Sequence, residues 1–160
     1  MGAWSSEIFG NDNSCDWAYD LEETSDISLI SASIEKIYHS NDYIESYLGD
    51  ECLAAIDTIT RLRGHFHQKG AYTESVDNWV LKNRHIIPKD LIEKSFVVIQ
   101  KIYSENSELY ELWNENGISE EWKEEIESLK KRLALPQVEL PEYSPKEEVP
   151  DLKKPWWKFW

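Results

Sequence analysis

The chain has 160 residues, 41% of them hydrophobic and 12% aromatic, which supplies the apolar surface for one folded domain and excludes a generally disordered chain. Its 31 Asp and Glu against 17 Lys and Arg give a formal charge of −14, a field that repels a phosphate backbone and argues against a nucleic-acid partner while favouring a basic one. No stretch approaches the roughly 18 consecutive apolar residues of a membrane span, and Met1 to Glu7 has neither a basic start nor an apolar run of signal length, so a cytoplasmic protein is expected.

Asn11 or Asn13 is placed to cap a first helix running to about Glu23, with Trp17 and Leu21 on one face. Ser25 is expected to cap a second, whose Ile27, Ile30, Ile34 and Ile37 form a single stripe. After a polar break at Ser40 to Asp42 and a short Tyr43 to Leu48 stretch, Asp50 should open a third helix carrying Cys52, Ala55, Ile56, Ile59 and Leu62, with Gly64 ending it at positive φ. Thr73 is the expected cap of a fourth helix with Val76, Trp79 and Val80 inward. Pro88 then sits near the start of a fifth, Lys89 to about Tyr103, whose apolar residues cover more than one face and predict the most buried element. Ser104 to Ser107 supplies caps for a sixth helix with Leu109, Leu112 and Trp113, closed by Gly117. Ser119 opens a seventh with Trp122, Ile126, Leu129 and Leu133 inward, stopped by Pro136. Nothing alternates with period two for long enough to demand a sheet. The expectation is an all-α, compact domain of about seven helices.

From Pro136 the character changes, because five of the six prolines fall in the last 25 residues. Residues 1–135 are therefore read as the helical domain and 136–160 as a Pro-rich tether with an aromatic end, Trp156, Trp157, Phe159 and Trp160, interleaved with Lys153, Lys154 and Lys158. The body holds 26 acids and 13 bases, the tail 5 and 4, so the negative field belongs to the body. Cys15 and Cys52 are too few for a disulfide framework and are expected as reduced thiols on helices. Gly2 with Ser6 matches only the loose myristoylation pattern.

Candidate chemistry is sparse. Asp12 and Asp16, four apart beside Asn11, share a helix face and could pair as acid and base or hold a cation, although Asn11 or Asp12 at the positive end of a helix is first of all a cap. The Asn11-Asp12-Asn13 spacing lacks the glycine and the distant Glu of a calcium loop. His65 and His67 flank Phe66, but zinc needs further ligands that no Cys pair or His-Glu-x-x-His helix supplies. His39 and His85 are isolated. No nucleophile elbow or phosphate-cradling loop is present, so neither metal nor cofactor is expected. Trp17, Trp79, Trp113 and Trp122 recur at core spacing. Interface aromatics are therefore expected at Tyr43, Tyr47, Tyr72 and the tail.

The opening Met1-Gly2-Ala3-Trp4-Ser5-Ser6-Glu7-Ile8-Phe9-Gly10-Asn11-Asp12-Asn13-Ser14-Cys15-Asp16-Trp17 resembles the signature of a bacterial family, domain of unknown function 4259, which reads Met-Gly-x-Trp-Gly-x-Gly-x-Phe-Asp-Asn-Asp and then Asp-Trp. Trp4, Phe9, Asn11, Asp12, Asp16, Trp17 and Leu21 match in register. Ser5 and Glu7 stand where that pattern has glycine, and Gly10 where it has Asp. Asp77-Asn78-Trp79-Val80 and Ser107-Glu108-Leu109-Tyr110-Glu111-Leu112-Trp113 are similar to later blocks of the family, so the resemblance spans about residues 1–134. It implies a small helical cytoplasmic protein of a kind found among bacterial accessory genes, including toxin and immunity neighbourhoods, and implies no activity.

The expectation is thus a non-catalytic protein-binding protein, an immunity protein that neutralises a basic toxin domain. Two alternatives stand beside it: a peripheral membrane or scaffold protein using its aromatic tail, and a hydrolase or metal enzyme around Asp12, Asp16 and the histidines.

Overall fold

The computed structural model describes residues 5–115, 117 and 119–143. Among them the chain forms seven helices, α1 (Asp12–Glu22), α2 (Ser28–Tyr38), α3 (Ser46–Leu62), α4 (Glu74–Lys82), α5 (Lys89–Ile102), α6 (Glu108–Glu115) and α7 (Ser119–Ala134). An isolated parallel bridge joins Ile44 and Ser107. The fold is all-α.

Asn11 caps α1, its Oδ1 accepting from the Ser14 amide at 2.8 Å, whereas Asn13 turns away and donates to Asp50 at 3.0 Å. The carboxylate that opens α2 is Asp26 and not Ser25, accepting from the Ser28 amide and hydroxyl. Thr73 precedes α4 but keeps its hydroxyl in the turn, accepting from the Gly70 amide. Gly64 and Gly117 take φ of 92° and 70°, the left-handed conformation that closes a helix without a Cβ clash. All four Trp within the helices are buried. Trp17 Nε1 donates to Ser33 and Trp79 Nε1 to the Thr24 carbonyl, while Trp113 and Trp122 stack with centroids 6.3 Å apart.

The central helix is α3, which touches all six others, and not α5. Apolar count favours α5, yet Val97 is 45% exposed and Ile92 and Phe96 are only partly covered, because one side of that helix has no neighbour among the described residues. In α3 every residue from Cys52 to Leu62 is buried, including Asp57, Thr58, Thr60 and Arg61. Thr58 returns its hydroxyl to the Ala54 carbonyl and Thr60 to that of Asp57, so burial leaves neither unpaired. The helix also begins four residues earlier than Asp50. The Glu108 carboxylate, from the start of α6, accepts from the Ser46 amide at 2.7 Å and caps α3 from outside.

Two buried guanidinium groups tie the layers together. Arg61, with no exposed surface, donates from Nε to Asp57 at 2.7 Å, from Nη1 to Asp77 of α4 at 2.6 Å and from Nη2 to the Gln68 carbonyl at 2.7 Å. The rings of Phe9 and Phe66 lie over it, 5.8 and 5.9 Å from the guanidinium carbon. The other Asp57 oxygen accepts from Arg132 of α7 at 2.5 Å. Burial works to raise the Asp57 carboxyl, but Arg61 and Arg132 outweigh it and hold it below the usual carboxylate range.

Past α7 the chain continues along the body. The Pro136 carbonyl accepts from His65, the Val138 amide donates to the Arg63 carbonyl, and Leu140 is buried. Arg84 then holds the Leu140 and Pro141 carbonyls, and Lys82 lies 5.1 Å from the centre of the Tyr143 ring. The expected boundary near Leu135 therefore falls before a segment that packs on the helices. Val138 lies against Gly64, where a Cβ would come within 2.3 Å of its methyl.

Two measurements probe these arrangements. Asp57→Ala leaves two buried cations without their shared anion, and urea unfolding at pH 7 should lose about 3–5 kcal/mol; an unchanged midpoint would show that the cluster is not structural. Asp50 behaves in the opposite sense: burial, above all, pushes its carboxyl up to about 6 from 3.8. Between those two pH values the folded chain holds a proton that the unfolded chain has lost, so stability falls as pH rises through the window. Asp50→Asn should flatten that fall and raise the melting temperature at pH 7.5 but not at pH 4. A variant that melts lower by the same amount at both pH values would contradict this account.

Candidate functional site

A groove between α1 and α4, also lined by the turn that carries Ala71 and Tyr72, brings together three of the sequence-derived candidates, Asp12, Asp16 and Tyr72. One half, about 460 Å³, is lined by Asp12, Cys15, Asp16, Ala18, Tyr19, Ala71, Tyr72 and Ser75. The other, about 480 Å³, is lined by Glu22, Ala71, Glu74, Ser75, Asn78, Trp79, Lys82 and Asn83, sharing Ala71 and Ser75 with the first. Four carboxylates face one ammonium group along its length.

Helical geometry places these side chains. Ser14, Trp17, Ala18 and Leu21 turn inward on α1, so Asp12, Asp16 and Tyr19, roughly opposite on the 3.6-residue period, turn outward. On α4, Val76, Trp79 and Val80 face the core, leaving Ser75, Asn78 and Lys82 on the groove wall. The relative position of the two helices is fixed from below by the Trp79–Thr24 and Asp77–Arg61 bonds. Tyr19 is 65% and Tyr72 54% exposed, and both offer large, stiff surfaces beside the acids.

Within the signature stretch the residues divide by role. Phe9 covers Arg61, Asn11 caps α1, and Trp17 is buried; Asp12 and Asp16 line the groove. Trp4 lies outside the described residues, as do Trp156, Trp157, Phe159 and Trp160. The exchanged positions fit each other: a Cβ at Gly10 would lie 2.1 Å from Ser5 Oγ and 3.0 Å from the Ser5 and Glu7 carbonyls, so glycine at 10 makes room for serine at 5.

Cys15 sits in the groove wall with its thiol directed to the Phe9 carbonyl. Burial, then the charges of Asp12 and Asp16, push it up, the reverse of what a nucleophilic thiolate needs. Cys52 is fully buried and pushed up further by the same cause.

Tyr43 and Tyr47 lie away from the groove lining. Tyr43 donates to Glu111 of α6 at 2.7 Å, a bond that pushes its hydroxyl up to about 12, and Tyr47 stands in the first turn of α3, 46% exposed. Tyr19, which sequence reasoning passed over, was accessible to it, since it falls off the Trp17–Leu21 stripe.

The histidines are placed in separate contacts and none lines the groove. His65 bonds to Pro136, His67 lies 3.4 Å from Glu125, His39 pairs with Glu35, and His85 stacks on Trp79. Among the described residues no three His, Cys, Asp or Glu side chains are grouped to hold a metal ion, and no helix is long and apolar enough to cross a membrane.

No curated protein and no solved structure matches the chain. A family model does, over residues 2–125, a span that takes in the signature from Gly2 on, α1 to α6 and the whole of the groove. The chain thus belongs to the family described as Domain of unknown function (DUF4259).

Proposed function

We propose that this chain is a non-catalytic binding protein that receives a basic protein partner in the α1–α4 groove, as an immunity protein neutralising a toxin domain does. The observation that supports it is the composition of the groove: Asp12, Asp16, Glu22 and Glu74 around Tyr19 and Tyr72, on two helices and the turn before α4, with α4 held by the Trp79–Thr24 and Asp77–Arg61 bonds. An inhibitor of this type requires no reacting group. It needs a field that speeds encounter, a few aromatic anchors that slow release, and a scaffold that loses little freedom on binding. The net charge of −14 supplies the field beyond the groove itself.

Such a division of labour separates two kinds of variant. With a partner captured from the native host and produced pure, Asp12→Lys with Asp16→Lys should lower the association rate about tenfold at low salt, and the effect should shrink as ionic strength rises. Tyr19→Ala and Tyr72→Ala should act mainly on dissociation, each raising it on the order of tenfold. An on-rate indifferent both to salt and to the charge reversal would sink the proposal. Both positions are exposed, so each variant's helical content and melting temperature should stay close to those of the parent chain.

A further inference from the structure

The described chain ends at Tyr143, beside Lys82, and Lys82 is itself part of the groove wall at the C-terminal end of α4. The segment that is bonded to Arg63 and Arg84 and lies against Gly64 thus ends, at Tyr143, beside the acidic groove. The sequence beyond Tyr143 is Pro-rich and finishes with three lysines interleaved with three tryptophans and a phenylalanine.

We propose that, in the isolated chain, the groove between α1 and α4 is occupied by the chain's own 153–160 segment, which a partner must displace. The inference rests on the reading of the groove as a recognition site and adds its resting occupant. Charge is complementary: Lys153, Lys154 and Lys158 meet Asp12, Asp16, Glu22 and Glu74. Chemistry agrees as well, because indoles stack favourably on phenols such as Tyr19 and Tyr72 and would otherwise stay in water at considerable cost. Reach is sufficient. Thirteen peptide links lead from Tyr143 to Trp156, about 40 Å at the ~3.1 Å per residue of a Pro-rich segment, against roughly 14 Å for the nine residues of α4. A tether of that order holds its end at about millimolar effective concentration, so even a weak affinity keeps the groove filled. Other chemistry that the body offers is less suitable: the groove along α7, next to Leu135, is lined by Lys123, Lys131 and Arg132 as well as by glutamates.

Paramagnetic relaxation in the full-length chain tests this. A nitroxide is attached at Asp151→Cys in a Cys15→Ser background, Cys52 being fully buried, and amide intensities are read in a ¹⁵N-labelled sample. The amides of Asp16, Tyr19, Ser75 and Asn78 should lose most of their intensity and regain it in 0.5 M salt, where the Debye length falls to about 4 Å. They should regain it also with Asp12→Lys and Asp16→Lys, or with Trp156, Trp157 and Trp160 changed to Ser. Broadening centred elsewhere, or indifferent to both sets of variants, overturns the proposal. Equal broadening in a mixture of ¹⁵N-labelled chain without nitroxide and unlabelled chain with it would assign the segment to a neighbouring copy and equally overturn docking within one chain. No partner enters this measurement, so its failure leaves the partner reading standing. That reading fails separately, when charge reversal in the groove leaves a captured partner's on-rate unchanged.

Discussion

A guanidinium group with no exposed surface must find acceptors on every side, and this requirement at Arg61 organises the molecule. Its three hydrogen-bonding nitrogens draw on the preceding turn of α3, on α4 and on the loop between them. The rings of Phe9, from the segment before α1, and Phe66, from the loop, lie 5.8 and 5.9 Å from its central carbon. Gln68 extends the set, giving its backbone carbonyl to Arg61 and its side-chain oxygen to the Phe9 amide. Asp57 then engages α7 through Arg132. Removing Asp57 leaves two buried guanidinium groups without their shared anion, which costs more than a single bond is worth.

The groove depends on this centre. Its walls belong to α1 and α4, and α4 is held by Asp77 to Arg61 while the turn after α1 is held by Trp79 to Thr24. The carboxylates and tyrosines on the walls are therefore presented by elements that the interior holds in place. Phe9 and Asp77 thus influence the groove without touching it, which explains how one stretch of sequence contains both buried and exposed matching positions.

Much of this was legible from the chain alone, and what was not shares a cause. The stripes of α2 and α7, the inward Trp residues, the Asn11 cap and both left-handed glycines follow from local spacing and local chemistry. Tyr72 was legible as an exposed aromatic. The centrality of α3 was not, because its interior carries Asp57, Thr58, Thr60 and Arg61, which an apolar count reads as a solvated face. Asp57 and Arg61 at i and i+4 are an ordinary surface pair until Asp77 and Arg132 close around them, 16 and 75 residues away. The cap of α3 comes from Glu108, 62 residues on, and so the early start at Ser46 had no local signal. Residues 136–143 read as a linker by composition, since what holds them is mostly backbone carbonyls taken by His65 and Arg84.

The span between Asp57 and Arg132 also has a meaning in time. A ribosome adds about 5–20 residues per second, so α3 and α4 leave it several seconds before α7 does. During that interval Arg61 can be paired by Asp57 and Asp77, but the second oxygen of Asp57 faces water or a non-native cation. Among the described helices, the Asp57 centre is consequently completed only when α7 emerges.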